Sequence, residues 1–163
     1  MSPVLSPRAA RRLLAGAKKP LTASMDASAH TVLDREVVES DFGPLAGHQH
    51  CLLVTYKRDG TPVPAPVWFA VDGAGRLYVW TEVNAYKAKR LARDERALIA
   101  PCGPTGKPLG SPIRATGRVL TAESDRQHAA ATLRGAWGPA RRLFERLSRP
   151  ITDVHYLEFT HSA

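Results

Sequence analysis

Between Thr61 and Cys102 the spacing of apolar residues changes period twice, and this block orders the rest of the chain. Val63, Ala65, Val67 and Phe69 alternate with Pro62, Pro64, Pro66 and Trp68, the period of a strand with one buried face. Asp72-Gly73-Ala74-Gly75 predicts a tight turn, and Leu77, Val79 and Thr81 then share one face of a second strand. After Thr81 the period lengthens to about 3.6. Ala85, Ala88, Leu91 and Ala92 fall on one side of a helix, with Lys87, Lys89, Arg90 and Arg93 mostly on the other. Residues 97–102 return to a strand. A basic helix entered directly from a strand end offers free N–H groups, its dipole and its cations to an anion.

The flanks extend this pattern. Val32, Val37, Val38 and Phe42 predict a short helix over residues 31–42, ending before Gly43-Pro44 and suited to plugging one end of a small barrel. Residues 51–57 read as a strand joined to the next by an Asp59-Gly60 turn. Proline cannot donate to a ladder, so Pro62, Pro64 and Pro66 mark an edge; they serve either a ligand cleft or protection of that edge from aggregation. Downstream, Gly103-Pro104-Thr105-Gly106-Lys107 lacks the spacing and the following Ser or Thr of a phosphate loop, and reads as a turn with an exposed lysine. Strands are expected at 113–120 and 153–159. Between them lie a helix over 123–133 with Thr121 as its N-cap, and further helix over 134–147 carrying Trp137, Leu143, Phe144 and Leu147. The sum is a mainly β chain of about six antiparallel strands with flanking helices, which closes most naturally as a small barrel.

At 163 residues the chain is expected to be one domain, residues 31–163, preceded by a basic, flexible arm over residues 1–30 in which Arg8, Arg11, Arg12, Lys18 and Lys19 precede the first acid. The LLAGA stretch is too short for a signal peptide and no apolar run nears the ~20 residues of a membrane span, so a cytoplasmic protein without integral membrane association is expected. Cys51 and Cys102 lie in apolar strand contexts and read as buried thiols. A net charge of +8 calls for an anionic partner. No stacking array or recognition helix accompanies the charge, so nucleic acid is not the expected one. His48 and His50 lack a third ligand at short spacing, and no metal site is expected. Nor do a Ser-His-Asp series or paired catalytic carboxylates stand at a recognisable spacing. An enzyme whose organic cofactor carries the reaction can lack such groups, and no catalytic side chain is assigned.

The succession TPVPAPVWF, LYVWT, YKAKRL, ALIAPC and GKPLG resembles the flavin-reductase-like split β-barrel superfamily that includes pyridoxamine phosphate oxidases (the PPOX class, or FMN-binding split barrels). More narrowly it resembles that superfamily's coenzyme F-420-dependent oxidoreductases, over residues 47–159. The resemblance implies an antiparallel split barrel and a homodimer with cofactor clefts at the subunit interface. It also implies hydride transfer between a deazaflavin, coenzyme F-420 (8-hydroxy-5-deazaflavin), and a small conjugated or unsaturated substrate. FMN on the same barrel, as in an oxidase or reductase, and a non-catalytic cofactor carrier are the alternatives.

By the same resemblance the cofactor phosphate is met by Thr81, Lys87 and Arg90, and the backbone of Pro66, Val67 and Trp68 lies along the ring. Thr81 would offer a hydroxyl, Lys87 a point charge and Arg90 a second cation one turn later. Lys89 and Arg93 are expected to face solvent.

Overall fold

Alternating apolar positions build one sheet whose two faces are both covered. The computed structural model describes residues 25–136 and 154–162, with positions 138, 139 and 143. Residues 1–24 of the expected arm, Trp137, Phe144 and Leu147 lie outside the described residues. Seven strands form: β1 (His50–Tyr56), β2 (Pro62–Trp68), β3 (Ala70–Val71), β4 (Leu77–Glu82), β5 (Arg96–Cys102), β6 (Ile113–Val119) and β7 (Val154–His161). Their order is β2-β1-β5-β6-β7-β4-β3, every pairing antiparallel. The seventh strand beyond the expected six arises because the run from Pro62 breaks at Phe69: β2 pairs with β1, whereas Ala70 and Val71 pair with Tyr78 and Leu77. The result is a curled, split barrel.

Inward-facing Leu53, Val67, Leu77, Val79, Ile99, Ile113, Leu157 and Phe159 make the main core. On the outer face, Leu52, Val54, Ala100 and Cys102 are covered by Ala29 and Val32, while Tyr78 and Tyr156 are covered by Ala129, Ala130 and Leu133 of helix α2 (Glu123–Ala136). Helix α1 (Tyr86–Arg93) closes one barrel end against β1 and β6, placing Ala88 and Leu91 in the main core. Burying Leu91 contributes about 2 kcal/mol. The close seating requires Gly117, where a Cβ would stand 2.5 Å from Phe159 Cε1 and 3.0 Å from Leu91 Cδ1.

Three local expectations are corrected. Residues 31–42 are not one helix: a 3₁₀ helix spans Ala27–Asp34, and Val38 is extended, donating to Pro112 O and accepting from Arg114 N. β-Branched valines favour that extended form, and Asp26 starts the helix early by accepting from Ser28 N at 2.8 Å. Residues 25–30 therefore belong to the docked fold and not to the arm, with Ala29 fully buried. Finally, α2 begins at Glu123, so Ala122 and not Thr121 holds the capping position; Arg126 N donates to Ala122 O.

Candidate functional site

The split lies between β2 and β4, which approach each other without a paired ladder. Hairpin geometry fixes which backbone groups look into it. Lys57 N donates to Thr61 O at 2.9 Å, so Lys57 and Thr61 are a hydrogen-bonded pair. Alternation along an antiparallel ladder then makes Tyr56/Pro62, Val54/Pro64 and Leu52/Pro66 non-hydrogen-bonded pairs. The proline nitrogens thus face away from β1 and into the split. That edge presents the carbonyls of Pro62, Pro64 and Pro66, and Trp68 is the first position of the series to carry an N–H. Such an edge resists pairing with another strand and accepts hydrogen bonds from a ligand, so the two expected roles of the prolines are compatible.

On the other side, β3 occupies the edge of β4 only at Leu77 and Tyr78. Three steps back from Ala70 and three on from Tyr78 bring Val67 level with Thr81, to within the break at Phe69. The predicted residues do not share one face, however. Val67 and Thr81 lie on the inner face, both nearly closed to solvent at 7% and 5% exposure, so a phosphate reaching the Thr81 hydroxyl requires the split to widen. Pro66 and Trp68 lie on the outer face, where the Trp68 ring meets His50 edge-on at 4.8 Å and packs near Tyr78 and Tyr156. Strand alternation enforces this separation.

The end of β4 turns sharply into α1: Ala85 N donates to Glu82 O at 2.9 Å and Ala88 N to Ala85 O at 3.2 Å. Ala85 occupies the N-cap and offers no side-chain cap, leaving the first turn to be satisfied from outside. Lys87, placed by helical spacing on the solvent side, is instead half-buried, because Ala88 and Leu91 draw that flank of the helix onto the barrel. Burial pushes its ammonium below the ordinary lysine range; the Glu82 carboxylate offsets part of that and Arg90 adds to it. Among the described residues no ion pair within 4 Å joins Lys87 to a carboxylate. Arg90 is half-buried and lies over the ring of Tyr86, itself 71% exposed, at 5.7 Å. Lys89 and Arg93 are exposed as expected, Arg93 tying the helix to Tyr56 O at 2.7 Å.

Glu82 was not singled out by its sequence position, although a carboxylate one residue after Thr81 and five before Lys87 is the signal that could have found it. A second polar cluster was also missed, because its members are far apart in sequence. The Tyr78 hydroxyl lies 3.1 Å from Glu158 Oε2 and 3.2 Å from Asp72 Oδ2; Arg118 Nε donates to Glu158 at 2.8 Å, and His128 Nε2 meets Asp72 at 2.9 Å. Cys51 and Cys102 are free and buried, and burial pushes the Cys102 thiol up to about 12, far from a nucleophile's range. No cluster of three metal-ligating side chains occurs among the described residues.

No protein-family model matches the chain, and no curated protein matches it. Solved structures do. One is HutZ, a heme storage protein from Vibrio cholerae (14% identical, covering 72% of this chain and 84% of that one, TM-score 0.56). Another is a protein from Clostridium acetobutylicum related to general stress protein 26 of Bacillus subtilis and placed in the pyridoxinephosphate oxidase family (13%, 82% and 84%, TM-score 0.54). The chain has the pyridoxamine phosphate oxidase-like split-barrel fold. A third relative in this fold, from Bacteroides thetaiotaomicron, is assigned to 5-nitroimidazole antibiotic resistance (14%, 77% and 82%, TM-score 0.56). At these identities the likeness of this split barrel to each of them is one of fold. No helix among its described residues is long and apolar enough to cross a membrane.

Proposed function

We propose that this protein is a deazaflavin (coenzyme F-420)-dependent oxidoreductase, transferring a hydride between the reduced cofactor and a small conjugated or unsaturated substrate. In the same reading it is a cytoplasmic homodimer with the cofactor cleft at the subunit interface. The observation that carries the proposal is Lys87: a half-buried ammonium, depressed by burial, in the first turn of a helix without a side-chain cap, just beyond the β4 side of the split. A cation kept in so costly a place is best explained by an anion that joins it there. Heme and pyridoxine phosphate, named for two proteins of the same fold, are planar and anionic, which favours a planar anionic group here too.

The residues fit such a group. Lys87 and Arg90 would hold the phosphate, with Thr81 adding its hydroxyl once the split widens. The carbonyl edge of Pro66 and the N–H of Trp68 would orient the ring, while Val67 and its core neighbours exclude water from the inner side. A flavin-type ring supplies hydride transfer when bound, so the chain's work is binding and orientation. FMN is the runner-up cofactor. Absorbance of the purified protein, followed by titration with F-420 and with FMN by tryptophan quenching, tests the reading. Binding of F-420 in preference to FMN is the expected result; FMN in preference moves the assignment to a flavin enzyme, and binding of neither overturns it.

A further inference from the structure

We infer that the corner between the Gly43–Leu45 turn and β3 is a binding site for a small, uncharged aromatic molecule carrying one hydrogen-bonding group. The corner is a cavity of about 380 Å³, inside the range in which small-molecule sites fall. It lies at the end of the barrel opposite α1. Its rim includes His48, just before β1 begins at His50, whereas α1 is tied by Arg93 to the carbonyl of Tyr56, the last residue of β1. The length of that strand, about 20 Å, separates the two. The cavity is therefore distinct from the Lys87 end of the split, and the inference goes beyond the cofactor reading without depending on it.

The walls account for both the space and its rigidity. Phe42, Leu45 and Phe69 line the cavity while belonging to the main core, at 4%, 1% and 8% exposure, so that side is fixed. Phe42 is held further by His161, edge-on at 5.9 Å, and the turn by Leu45 N donating to Phe42 O and Ala46 N to Gly43 O, both at 3.0 Å. Other elements bring no side chain large enough to fill the corner: Gly75 comes from the β3–β4 turn, Ala136 from the end of α2, and Ala46 and Gly47 from the near rim. Gly47 and Gly75 take φ of 81° and 79°, a conformation that favours glycine and so keeps those positions free of a side chain. A corner lined by twelve residues falls far short of the roughly 20–30 a side of a stable protein interface, which makes a small molecule the occupant that fits.

Polarity selects the molecule. No lysine or arginine lines the cavity, and its one acid, Asp41, is exposed at the rim with Oδ1 accepting from Gly43 N at 2.9 Å. An anion would meet that carboxylate and apolar walls without a lysine or arginine to compensate it, which disfavours it. The remaining polar side chain is His48. It is half-buried, its backbone N–H is engaged with Leu45 O at 3.1 Å, and among the described residues no hydrogen bond reaches its ring. An imidazole donates or accepts, so a hydroxyl or carbonyl on a planar ring gives it a partner. Removing that ring's apolar surface from water against Phe42, Leu45 and Phe69 drives the binding.

The test titrates the full chain, with no cofactor added, with 1-naphthol, naphthalene and 1-naphthoate near pH 7, followed by nuclear magnetic resonance. 1-Naphthol should bind saturably, show Overhauser contacts to the Phe42 and Phe69 rings, and bind at least fivefold more tightly than 1-naphthoate. Ala46→Phe, at an exposed position whose ψ of 135° admits a large side chain, fills the corner and should weaken 1-naphthol at least tenfold. His48→Phe should weaken 1-naphthol roughly fivefold, the scale of one hydrogen bond, and leave naphthalene unchanged. No saturable binding of 1-naphthol, or binding that Ala46→Phe leaves intact, overturns the site. 1-Naphthoate binding as tightly as 1-naphthol overturns the preference for an uncharged ligand, and equal effects of His48→Phe on 1-naphthol and naphthalene overturn the role of His48. The Overhauser contacts in the wild type decide the place of binding even if a variant fails to fold.

Discussion

Two clusters of charge flank β4, and they are built in opposite ways. Around Glu158, which is 7% exposed, the polar groups find partners within the chain: Arg118, Tyr78, Asp72, His128 and the amides of Ala74 and Arg76 are joined at 2.8–3.2 Å. This network pins the β3–β4 turn, α2, β6 and β7 together. Around Lys87 the cation is half-buried, its ammonium is depressed by burial, and no ion pair within 4 Å reaches it among the described residues. A closed network is what a fold needs of its polar groups. A buried cation left incompletely compensated works against folding and is better accounted for by a ligand. The difference separates a structural cluster from a binding one on the same strand.

The largest effect should come from Glu158. Glu158→Ala removes the acceptor of the Tyr78 hydroxyl and of Arg118 and opens space beside α2, so urea denaturation should show a loss of about 3 kcal/mol, while cofactor affinity per folded molecule stays unchanged. Lys87→Met should do the reverse. A lysine whose folded pKa lies below its unfolded value opposes folding while it is charged, and that cost fades as pH rises through the folded value. Removing the charge should therefore leave stability near neutral pH unchanged or higher. Affinity for the cofactor should fall by roughly 1.5–3 kcal/mol, on the order of tenfold to a hundredfold. Equal destabilisation by both substitutions would erase the distinction between the clusters.

How much of this could be read from the chain follows the range of the interactions involved. Strands, the Asp59-Gly60 and Asp72–Gly75 turns and the switch to helix after Thr81 depend on neighbours within a few residues, and they form where the pattern places them, Gly75 taking φ 79°. The split barrel itself was legible through the order of its motifs, in agreement with the fold of the solved structures. Val38 was misread because Pro112 and Arg114, which hold it extended, lie more than seventy residues away. Burial of Lys87 depends on how α1 seats over Gly117, again a distant partner. Helical spacing could place Lys87 beside Arg90 but not tell that its flank is covered. The Glu158 cluster joins residues 72, 78, 118, 128 and 158, a set that no local pattern brings together.

A smaller effect should appear at Asp72, the junction of the closed cluster with α2. Burial alone pushes its carboxyl up, but hydrogen bonds from His128, the Arg76 and Ala74 amides and Tyr78 outweigh burial and hold it below the ordinary carboxylate value. A depressed carboxylate adds stability above its unfolded pKa, near 3.9, and loses it as pH falls through the folded value. Asp72→Asn should cost about 1 kcal/mol at pH 7 and progressively less below pH 4. Thermal denaturation across that window measures it; a penalty independent of pH would mean that shape, not charge, matters at this position.

The smallest effect should come from Lys89, and it tests whether Lys87 acts as an individual group. The two lysines are two residues apart on α1 and contribute equally to net charge, yet Lys89 is exposed and rests over the Tyr86 ring. An exposed cation near an anion contributes only a few tenths of a kcal/mol and is screened by salt over about 10 Å at 0.1 M. Lys89→Ala should therefore weaken cofactor binding by less than about twofold at low salt, and raising the salt should remove even that. The Lys87→Met deficit should persist in salt, because a half-buried contact is poorly screened. If the two variants lose affinity equally, and salt abolishes both losses, attraction is a property of the basic helix as a whole and the Lys87 cluster loses its special standing.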